Sequence, residues 1–408
     1  MSTSEITINI KQPLTTSTGW QHRLVSQIFA PVVYGRLSVH LADASVVMIK
    51  GKENGPIANI TFHALYKSLF NLSIKGDVGF SESFMAGHWD SEDLPQLMYF
   101  LSLNLEALDQ LDQRSWIHNL LVGLQHKLNS NTLNGSKKNI SSHYDLGNDF
   151  YARWLDKSMT YSSALFDQSH KLQSAQNRKY ERIFQRLDAK PGDHILEIGC
   201  GWGGFAEYAS RRGCRITGIT LSQEQLEYAS ERIKHGDLGH LAHLEIRDYR
   251  NLDEQYDHIV SIEMIEAVGR EYWDSYFYTL KRCLKPNGNI VIQSITIDES
   301  LYSDYEKNPG GFIQRYIFPG GMLPTSTHLK SHSMSHQLKA IDSLAFGQDY
   351  ATTLAIWHER FNEQQEWLDQ NGYDDYFRRM WRYYLSFCEA GFRDESINVV
   401  QLHLRHDA

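Results

Sequence analysis

The stretch Glu197-Ile-Gly-Cys-Gly-Trp-Gly-Gly204 carries the clearest fold signal in the chain. It follows the turn Lys190-Pro-Gly-Asp193 and a short apolar segment, and it precedes the helix-like segment 205–211. Glycines are required in such a loop because ligand and backbone approach so closely that a Cβ atom has no room. A strand, a glycine-rich turn and a helix in this order indicate a nucleotide-type binding loop in an α/β sheet.

The same loop fits two kinds of cofactor. The glycines at positions 199, 201 and 204 satisfy G-x-G-x-x-G, a pattern found in NAD-binding sites. S-adenosylmethionine (SAM) is favoured, because Glu197 precedes the first glycine by two residues, as in class I methyltransferases. The next strand also ends in Thr220-Leu-Ser-Gln-Glu-Gln225, without the acid that closes an NAD site. Glu224 lies at about the right distance, but an acid in the first turn of a helix explains it better.

From about residue 141 onward, strand-like and helix-like segments alternate. Near-continuous apolar strands between helices imply a mainly parallel sheet that is covered on both faces. The predicted strands are 194–198, 215–220, 244–247, 258–262, 289–295 and a final strand at 397–404. Predicted helices between them include 223–234 and 271–284.

The chain before this region has a different pattern. Alternation at period two predicts antiparallel strands at 37–41 and 44–49, followed by turn residues at 51–56 and a helical pattern at 94–111. The polar stretch 126–140 has nothing that can anchor a core, which is typical of a linker. We therefore expect a small α+β domain at 1–125, a linker at 126–140 and an α/β domain at 141–408.

The charge of the chain limits its partners. Its 408 residues carry 40 Lys and Arg against 49 Asp and Glu, a formal net charge of −9. This balance argues against nucleic-acid binding, which is typically based on a basic patch. Neither a signal peptide nor an apolar window of about 18 residues is evident, so we expect a soluble, cytoplasmic protein. The four cysteines are widely spaced, which argues against a disulfide framework or a cysteine-rich zinc site.

The segments around the glycine-rich loop point to one family. The sequence resembles the cyclopropane-fatty-acyl-phospholipid synthase and mycolic-acid methyltransferase family along nearly its whole length. The agreeing segments, besides 197–204, are 79–90, 143–148, 161–162, 220–225, 247–250, 263–269, 315–321 and 350–354. The resemblance implies a Rossmann-like class I SAM methyltransferase domain with a smaller, lipid-associated α+β domain before it.

An activity follows from that resemblance. Members use SAM to add a methylene across the cis double bond of an unsaturated phospholipid acyl chain, which gives a cyclopropane fatty acid. The residues implied to bind SAM are Tyr144, Tyr161, Ser162, Glu197, Gly199, Gly201, Gly203, Thr220, Leu221, Gln225, Asp248 and Tyr249. The implied partners are membrane phospholipids, touched transiently by a cytoplasmic, peripheral membrane protein, and a second copy of the chain in a homodimer.

The family also uses an ion. In the reaction of the family, the alkene of the lipid substrate attacks the sulfonium methyl of SAM, and the resulting carbocation loses a proton from the new methyl to a bound bicarbonate. The residues implied to hold bicarbonate are Glu266, Tyr350, Ser163, Gln293 and, through its backbone, Ile295. Ser163 and Gln293 stand where the family has Cys and His, and both keep hydrogen-bonding capacity. The carboxylates of Glu263 and Glu266 would repel an anion, so Glu266 is expected to be protonated or strongly hydrogen-bonded.

Several alternatives stay open from the sequence. The product is methyl- or methylene-branched if the proton is lost elsewhere or a hydride is added. A non-enzymatic lipid-binding protein with a vestigial SAM loop is the alternative from another class. Glu266 also fits a helix cap, and Ser222 with Gln225 fits a capping box as well as a ribose contact.

Two further features allow two interpretations each. His328, His332 and His336 are spaced by four, and a solvated helix face is favoured over a metal site there, so no metal is expected. The segment 373–387 combines aromatic residues with arginines. It fits packing against the sheet, or a lipid-facing surface in which arginines meet phosphates.

Overall fold

The computed structural model of the protein describes residues 19–109, 146–168, 171–308 and 310–407. Residues 19–109 form a compact α+β unit. Its elements are α1 (Trp20–Ile28), β1 (Tyr34–His40), β2 (Val46–Lys50), β3 (Glu53–Phe62), α2 (Leu65–Met85), β4 (Trp89–Asp90), α3 (Leu94–Leu103) and α4 (Leu105–Asp109). The predicted linker at 126–140 lies outside the described residues, so the domain boundaries stay a prediction.

The sheet of this unit has the strand order β2-β1-β3-β4. β1 and β2 pair antiparallel, with His40 opposite Val46, which confirms that predicted pair. β3 runs parallel to β1 and includes Gly55-Pro56, which the sequence assigned to a turn. Proline is accommodated because the β1–β3 register shifts around Gly35, whose φ is 79°. Such a bulge is one of the few places where a strand tolerates proline.

Residues 146–407 form an α/β unit. Its helices, within the described residues, are α5 (Asn148–Ala152), α6 (Leu172–Leu187), α7 (Gly204–Ser210), α8 (Gln223–His235), α9 (Trp273–Cys283), α10 (Glu299–Lys307), α11 (Ser326–Ser335), α12 (Gly347–Asn362), α13 (Gln365–Gln370) and α14 (Asp375–Arg393). Its strands there are β5 (His194–Ile198), β6 (Arg215–Thr220), β7 (Ala242–Ile246), β8 (Tyr256–Ile262), β9 (Leu284–Ile297), β10 (Leu338–Ala345) and β11 (Ile397–His406). Short 3-10 turns lie at Tyr249–Asn251, Ile265–Ala267 and Arg270–Tyr272, and a π-helical turn lies at Ile313–Ile317.

The described strands of this unit form one sheet in the order β10-β11-β9-β8-β5-β6-β7. β5 to β9 run parallel, and β11 lies antiparallel between β9 and β10. This is the predicted Rossmann-like α/β fold of class I methyltransferases. The chain steps from β5 to β6 on one side and reaches β8 on the other, which places a topological switch point at the carboxyl ends of β5 and β8.

Both faces of the sheet are covered, which explains the near-continuous apolar strands. Ile259 in β8 faces one apolar cluster with Phe277 of α9, and the next residue, Val260, faces another with Ile183 of α6 and Phe205 of α7. The predicted bounds of β5 and β6 are confirmed. β10 was not predicted, because it is an edge strand with mostly polar or exposed residues and therefore gives little apolar signal.

Helix α14 joins the two units. Arg379 donates from Nε to the Phe84 carbonyl over 2.5 Å, from Nη2 to the Trp89 carbonyl over 2.8 Å, and from Nη1 to Asp90 Oδ2 over 2.9 Å. Trp381 on the same helix is 1% exposed. Arg379 and the buried aromatic residues of the segment 373–387 therefore pack inside the molecule, as the first interpretation predicts. Tyr376 and Phe387 are 42% and 39% exposed, and a lipid-facing role for them stays a prediction.

The three histidines of α11 and its end have other partners. His328 completes a capping box with Thr325, and His336 Nε2 lies 2.9 Å from Asp274 Oδ1. The ring of His332 stacks on Phe277 with 5.8 Å between centroids. Among the residues that the structure describes, no group of three His, Cys, Asp or Glu is placed to hold a metal ion. Over the same residues, no helix combines the length and apolarity needed to cross a bilayer.

Candidate functional site

The candidate site lies along the edge at which the parallel strands end. Ligands of open α/β sheets bind outside the carboxyl ends of the strands at a topological switch point. Predicted site residues lie at or just after the ends of four of these strands. They are Glu197 near the end of β5 with the glycines that follow, Thr220 at the end of β6 with Leu221, Asp248 and Tyr249 after β7, and Glu266 after β8. The fold therefore brings residues that are far apart in sequence to one edge.

Glu197 and its glycines form the centre of this edge. Glu197 is 3% exposed, and burial raises its pKa well above the ordinary value, against the Ala206 N–H and the charge of Lys179. The following glycines at 199, 201 and 203 have φ values of 83°, 51° and 79°. A Cβ atom on Gly203 would lie 3.0 Å from the Cβ of Ala229. The backbone turn thus depends on glycine, as expected of a loop that a cofactor approaches closely.

The residues after β6 bond to one another. Thr220 Oγ1 donates to Gln225 Oε1 over 2.9 Å, and the Gln225 backbone N donates to Ser222 Oγ over 3.2 Å. Ser222 is therefore the N-cap of α8. The side chain of Gln225 turns to Thr220, so only one half of the predicted capping box forms. Leu221 is half-buried between them.

Asp248 begins the turn that follows β7. Its carboxylate accepts from the Arg250 backbone N at 3.0 Å, from Nε at 2.8 Å and from Nη2 at 2.6 Å, which fixes its orientation. Tyr249 is 8% exposed and packs edge-on against Tyr276, with 5.7 Å between ring centroids. These residues lie at the end of the edge that was predicted to receive the adenine.

Ser162 contacts a buried lysine. Lys179 of α6 is fully buried and donates from Nζ to Ser162 Oγ over 2.6 Å. Burial lowers the pKa of Lys179 to about 7, against the opposing charges of Glu263 and Asp156. The charge of Lys179 therefore acts on two acids of the site, Glu197 and Glu263. Tyr144, the remaining predicted SAM contact, lies outside the described residues.

Aromatic rings surround Tyr161. Its hydroxyl lies 2.8 Å from that of Tyr384, and its ring centroid is 5.4 Å from Trp357, 5.5 Å from Trp154 and 6.5 Å from Phe318. The faces of such rings carry negative electrostatic potential. This aromatic wall can therefore hold an apolar chain and favour a positive charge beside it.

Glu263 accepts hydrogen bonds from three separate parts of the chain. Its Oε1 accepts from the Ser163 backbone N over 2.9 Å and from Gln293 Nε2 over 2.7 Å, and its Oε2 accepts from the Tyr350 hydroxyl over 2.8 Å. Its own backbone N donates to the Gln293 carbonyl over 2.7 Å, and its φ is 49°. A non-glycine residue in this left-handed conformation costs on the order of 1 kcal/mol or more and recurs at functional sites.

A chain of amides fixes which way these bonds point. Arg182 of α6 donates from Nη1 to Gln401 Oε1 over 3.1 Å, and Gln401 Nε2 donates to Gln293 Oε1 over 3.0 Å. Gln401 and Gln293 are opposite one another in β11 and β9. Because arginine can only donate, each amide must present its oxygen toward Arg182 and its NH₂ toward Glu263. Gln293 is therefore held as a donor to Glu263.

Glu266 lies beside this cluster in the 3-10 turn after β8. Its Oε1 accepts from the Ile295 backbone N over 2.5 Å, and its buried Oε2 has no hydrogen-bond partner among the described residues. Burial and the neighbouring Glu263 raise the pKa of Glu266 to about 8. Glu266 therefore carries a proton at neutral pH, in line with the expectation from the sequence.

Comparison with known proteins identifies the family. The family model of mycolic acid cyclopropane synthetases matches residues 131–402, which is well over half of the chain. The chain belongs to this synthetase family. As a family member it is a SAM-dependent methyltransferase, and SAM is its methyl donor.

Relatives in the synthetase family differ in the product that their names give. The tuberculostearic acid methyltransferase UfaA1 of Mycobacterium tuberculosis is 37% identical over 337 residues, 80% of this chain and 78% of that protein. The cyclopropane-fatty-acyl-phospholipid synthase of Escherichia coli K12 is 36% identical over 329 residues, 80% of this chain and 83% of that protein. The crystal structure of mycolic acid cyclopropane synthase CmaA1 with SAH and CTAB is 26% identical, with a TM-score of 0.61, over 66% of this chain and 97% of that one.

The arrangement around Glu263 disagrees with the bicarbonate cradle implied for the synthetase family. The donors of Ser163, Gln293 and Tyr350 all point at Glu263, and Ile295 N points at Glu266. The Ser163 hydroxyl, expected to donate to the ion, donates to the Ala164 carbonyl over 3.0 Å. A bicarbonate ion would meet a carboxylate in place of free donors, so the residues present do not fit it.

Sequence reasoning missed two residues of this synthetase site. Lys179 lies on the buried face of α6, four residues from both Ala175 and Ile183, and this interruption of an apolar stripe by a lysine was the signal to find it. Glu263 was noticed only as a charge near Glu266. Its central place depends on β8, β9 and α12 meeting, which no local pattern encodes.

Proposed function

We propose that the protein transfers a methylene from SAM to the cis double bond of unsaturated phospholipid acyl chains and forms cyclopropane fatty acids. The observation that carries this proposal is a buried acid–tyrosine cluster that lies between the SAM-type loop and the aromatic wall. The cluster can hold a proton acceptor, and the wall can accept an acyl chain and a carbocation. The names of the Escherichia coli relative and of the synthase with bound SAH support the same chemistry.

The roles of the SAM contacts belong to this proposal. Glu197 and Gly199, Gly201 and Gly203 would line the methionine and ribose, and Leu221 with Gln225 would meet the ribose and adenosine. Asp248 and Tyr249 would meet the adenine, and Tyr161 with Ser162 would close the pocket. The Glu197 carboxylate would balance the net positive charge of SAM, since SAM carries a sulfonium, an ammonium and one carboxylate. We assign no step to bicarbonate, because the residues present do not fit it.

The catalytic residues surround the point where the methyl is transferred. Tyr350, Gln293 and the Ser163 backbone hold the Glu263 carboxylate, and Ile295 holds Glu266 as a neutral acid. A fixed polar cluster in a water-excluding pocket acts on developing charge without reorganising. Water exclusion also protects the carbocation from hydration, which would give an alcohol.

The membrane contact is proposed for the first half of α2. Tyr66, Phe70 and Ile74 lie four residues apart and are 72%, 52% and 48% exposed, and Lys67 beside them is exposed. α2 is interrupted at Gly76, whose φ is 57°, and its second half reaches the catalytic unit, where the Tyr316 hydroxyl donates to Glu82 over 2.8 Å. α2 would therefore connect the membrane contact in its first half to the catalytic unit that its second half touches.

Fatty-acid analysis after expression in a bacterium without cyclopropane fatty acids tests the reaction. With SAM deuterated at the methyl group, ring closure retains two of three deuterium atoms, because one is lost as a proton. We expect a product with a two-deuterium methylene. Unchanged acyl chains in cells that contain folded protein would contradict the proposal.

A methyl-branched product is the second candidate, and the name of the relative UfaA1 favours it. If a hydride donor adds to the carbocation, all three methyl deuterium atoms stay in the product, so the same mass spectrum separates this outcome from ring closure. A non-enzymatic lipid-binding protein would show no SAM binding in a calorimetric titration. The homodimer implied by the resemblance is tested separately by sedimentation.

A further inference from the structure

We propose that the carboxylate of Glu263 is the base of the reaction and takes the place that the family resemblance implies for bicarbonate. This inference rests on the proposed function, since it names the group that removes the proton from the new methyl. It starts from one geometric observation. The Ser163 backbone N, the Gln293 amide and the Tyr350 hydroxyl all donate to the side chain of Glu263.

The hydrogen bonds of Glu263 are those of a filled oxyanion site. Two N–H donors meet on Oε1, at 2.9 Å from Ser163 and 2.7 Å from Gln293, and the Tyr350 hydroxyl meets Oε2 at 2.8 Å. Bicarbonate and a carboxylate present the same pair of oxygens to such donors. A carboxylate that is part of the chain needs no binding step, so its local concentration exceeds that of any dissolved ion.

The polarity of the cluster decides which oxygen of Glu263 can take a proton. Arg182 orients Gln401 and, through it, Gln293, so that only an N–H faces Oε1. The Ser163 backbone N is also an obligatory donor. Oε1 therefore cannot carry a proton, which leaves Oε2 as the atom that receives one.

The charges around Glu263 support its role as an acceptor. Lys179 faces it from α6, Glu266 and Tyr350 face it from the 3-10 turn and α12, and Glu197 lies farther along the edge. Glu266 is neutral below its pKa of about 8, so Glu263 holds the negative charge of this pair. Burial raises the pKa of Glu263 above its ordinary value, with Lys179 opposing, which makes it a stronger base than an exposed glutamate.

The step balances with these groups alone. The π electrons of the alkene form a bond to the SAM methyl carbon as the carbon–sulfur bond breaks and leaves its electron pair on sulfur. Glu263 then takes a proton from the new methyl, and the electrons of that C–H bond close the ring onto the cationic carbon. The protonated Glu263 later returns its proton to solvent. The products are a cyclopropane, S-adenosylhomocysteine and one proton.

The variant Glu263→Gly tests the assignment directly. Glycine adopts a φ of 49° without strain, so the backbone is retained, and the lost side chain leaves three donors around a cavity that bicarbonate can enter. Ring formation is measured on unsaturated phospholipid vesicles with SAM, in buffer stripped of carbon dioxide and again with added bicarbonate. Glu389→Gln is the matched control, because Glu389 is also a buried acid but pairs with Arg393 away from the site.

The expected results separate the two kinds of base. The unaltered protein should work equally well, within about twofold, with and without bicarbonate, and Glu389→Gln should behave alike. Glu263→Gly should lose ring formation by about 100-fold or more and recover part of it with bicarbonate. A parent enzyme that needs added bicarbonate, or a Glu263→Gly variant that keeps full activity without it, would overturn the assignment.

Two further measurements keep the result unambiguous. SAM binding by calorimetry shows whether Glu263→Gly is folded, and Glu263→Gln, which keeps the side-chain volume but accepts no proton, should lose ring formation without rescue by bicarbonate. A bicarbonate-dependent parent enzyme refutes only the role of Glu263. A parent that binds SAM but alters no acyl chain refutes the proposed function, and the assignment with it.

Discussion

At the scale of single residues, the site is a balance of buried charges. The charge of one lysine, Lys179, acts on Glu197 and Glu263, and Glu266 lies beside Glu263, in a region from which water is largely excluded. Buried acids of this kind keep a proton or find a partner, because an unpaired buried charge is very costly. Here Glu266 keeps its proton and Glu263 has three donors, so two chemically identical side chains take different states.

The protonation of Glu266 makes stability depend on pH. Folded Glu266 holds its proton up to about pH 8, whereas its ordinary pKa is 4.5. Between these values the folded state binds more protons than the unfolded state, so rising pH lowers the free energy of unfolding. In Glu266→Gln the side chain cannot titrate, so the variant does not lose this free energy of unfolding as the pH rises. We expect the stability of the variant relative to the parent to increase steadily from about pH 5 to about pH 8 in urea unfolding.

The comparison of variant and parent is needed because Lys179 has the opposite effect. Its folded pKa of about 7 lies below the ordinary 10.5, so its contribution rises with pH above about 7. Both proteins share that contribution, which cancels in the difference. A difference that stays flat across this range would show that Glu266 is ionised in the folded protein.

At the scale of secondary-structure elements, α2 is unusual in what it exposes. Full insertion of the exposed parts of Tyr66, Phe70 and Ile74 into a bilayer would contribute roughly 4 kcal/mol. That free energy corresponds to binding at about 1 mM, which is weak and reversible. If the proposed contact is right, a helix with this face would touch a membrane without anchoring the protein in it.

Phe70→Asp tests this membrane face. The charge prevents insertion of the stripe, so we expect vesicle binding to fall by about tenfold or more in a sedimentation assay. Met334→Asp is the matched control, because Met334 is an apolar residue, 72% exposed, on α11 of the other unit. Salt should weaken binding of the parent only slightly, since apolar contact is not screened. Equal loss in both variants would argue against α2 as the contact.

The elements also show how far the sequence leads. β5, β6 and α8 could be predicted because each has a local signal: apolar runs, a glycine turn or the N-cap Ser222. The same signals predicted the edge of the sheet at which SAM is proposed to bind. The family resemblance placed Ser163, Gln293 and Tyr350 together, but it did not predict that they hold Glu263. The direction of the hydrogen bonds there is set by Arg182, more than 80 residues away from Glu263. Long-range packing decides such contacts.

At the scale of the whole molecule, Arg379 of α14 connects the two units. It satisfies the carbonyls of Phe84 and Trp89 and pairs with Asp90. Arg379→Met removes three hydrogen bonds and the charge that pairs with Asp90, and it leaves the Phe84 carbonyl with the Gly87 N–H. We therefore expect a loss of about 3 kcal/mol in the free energy of unfolding. Denaturant unfolding, followed by tryptophan fluorescence, measures it.

The neighbouring arginine provides the control. Arg378 pairs with Asp369 and Asp375, both largely exposed, so Arg378→Met should cost only about 1 kcal/mol or less. Neither substitution should change vesicle binding by itself, because both arginine side chains are largely buried. Similar losses of stability in the two variants would contradict the role given to Arg379.

The position of β11 has a consequence for the order in which the protein is made. β11 leaves the ribosome after every other strand of its sheet, yet it lies between β9 and β10, and its Gln401 aligns Gln293. During synthesis, β10 has no pairing partner until β11 emerges. The Trp89 carbonyl of the early sheet β1–β4 likewise has no bond from Arg379 until α14 emerges. Contacts between such distant segments form slowly. A nascent chain halted before β11 therefore has neither a complete sheet nor a Gln293 oriented toward Glu263, and we expect activity only once β11 has formed.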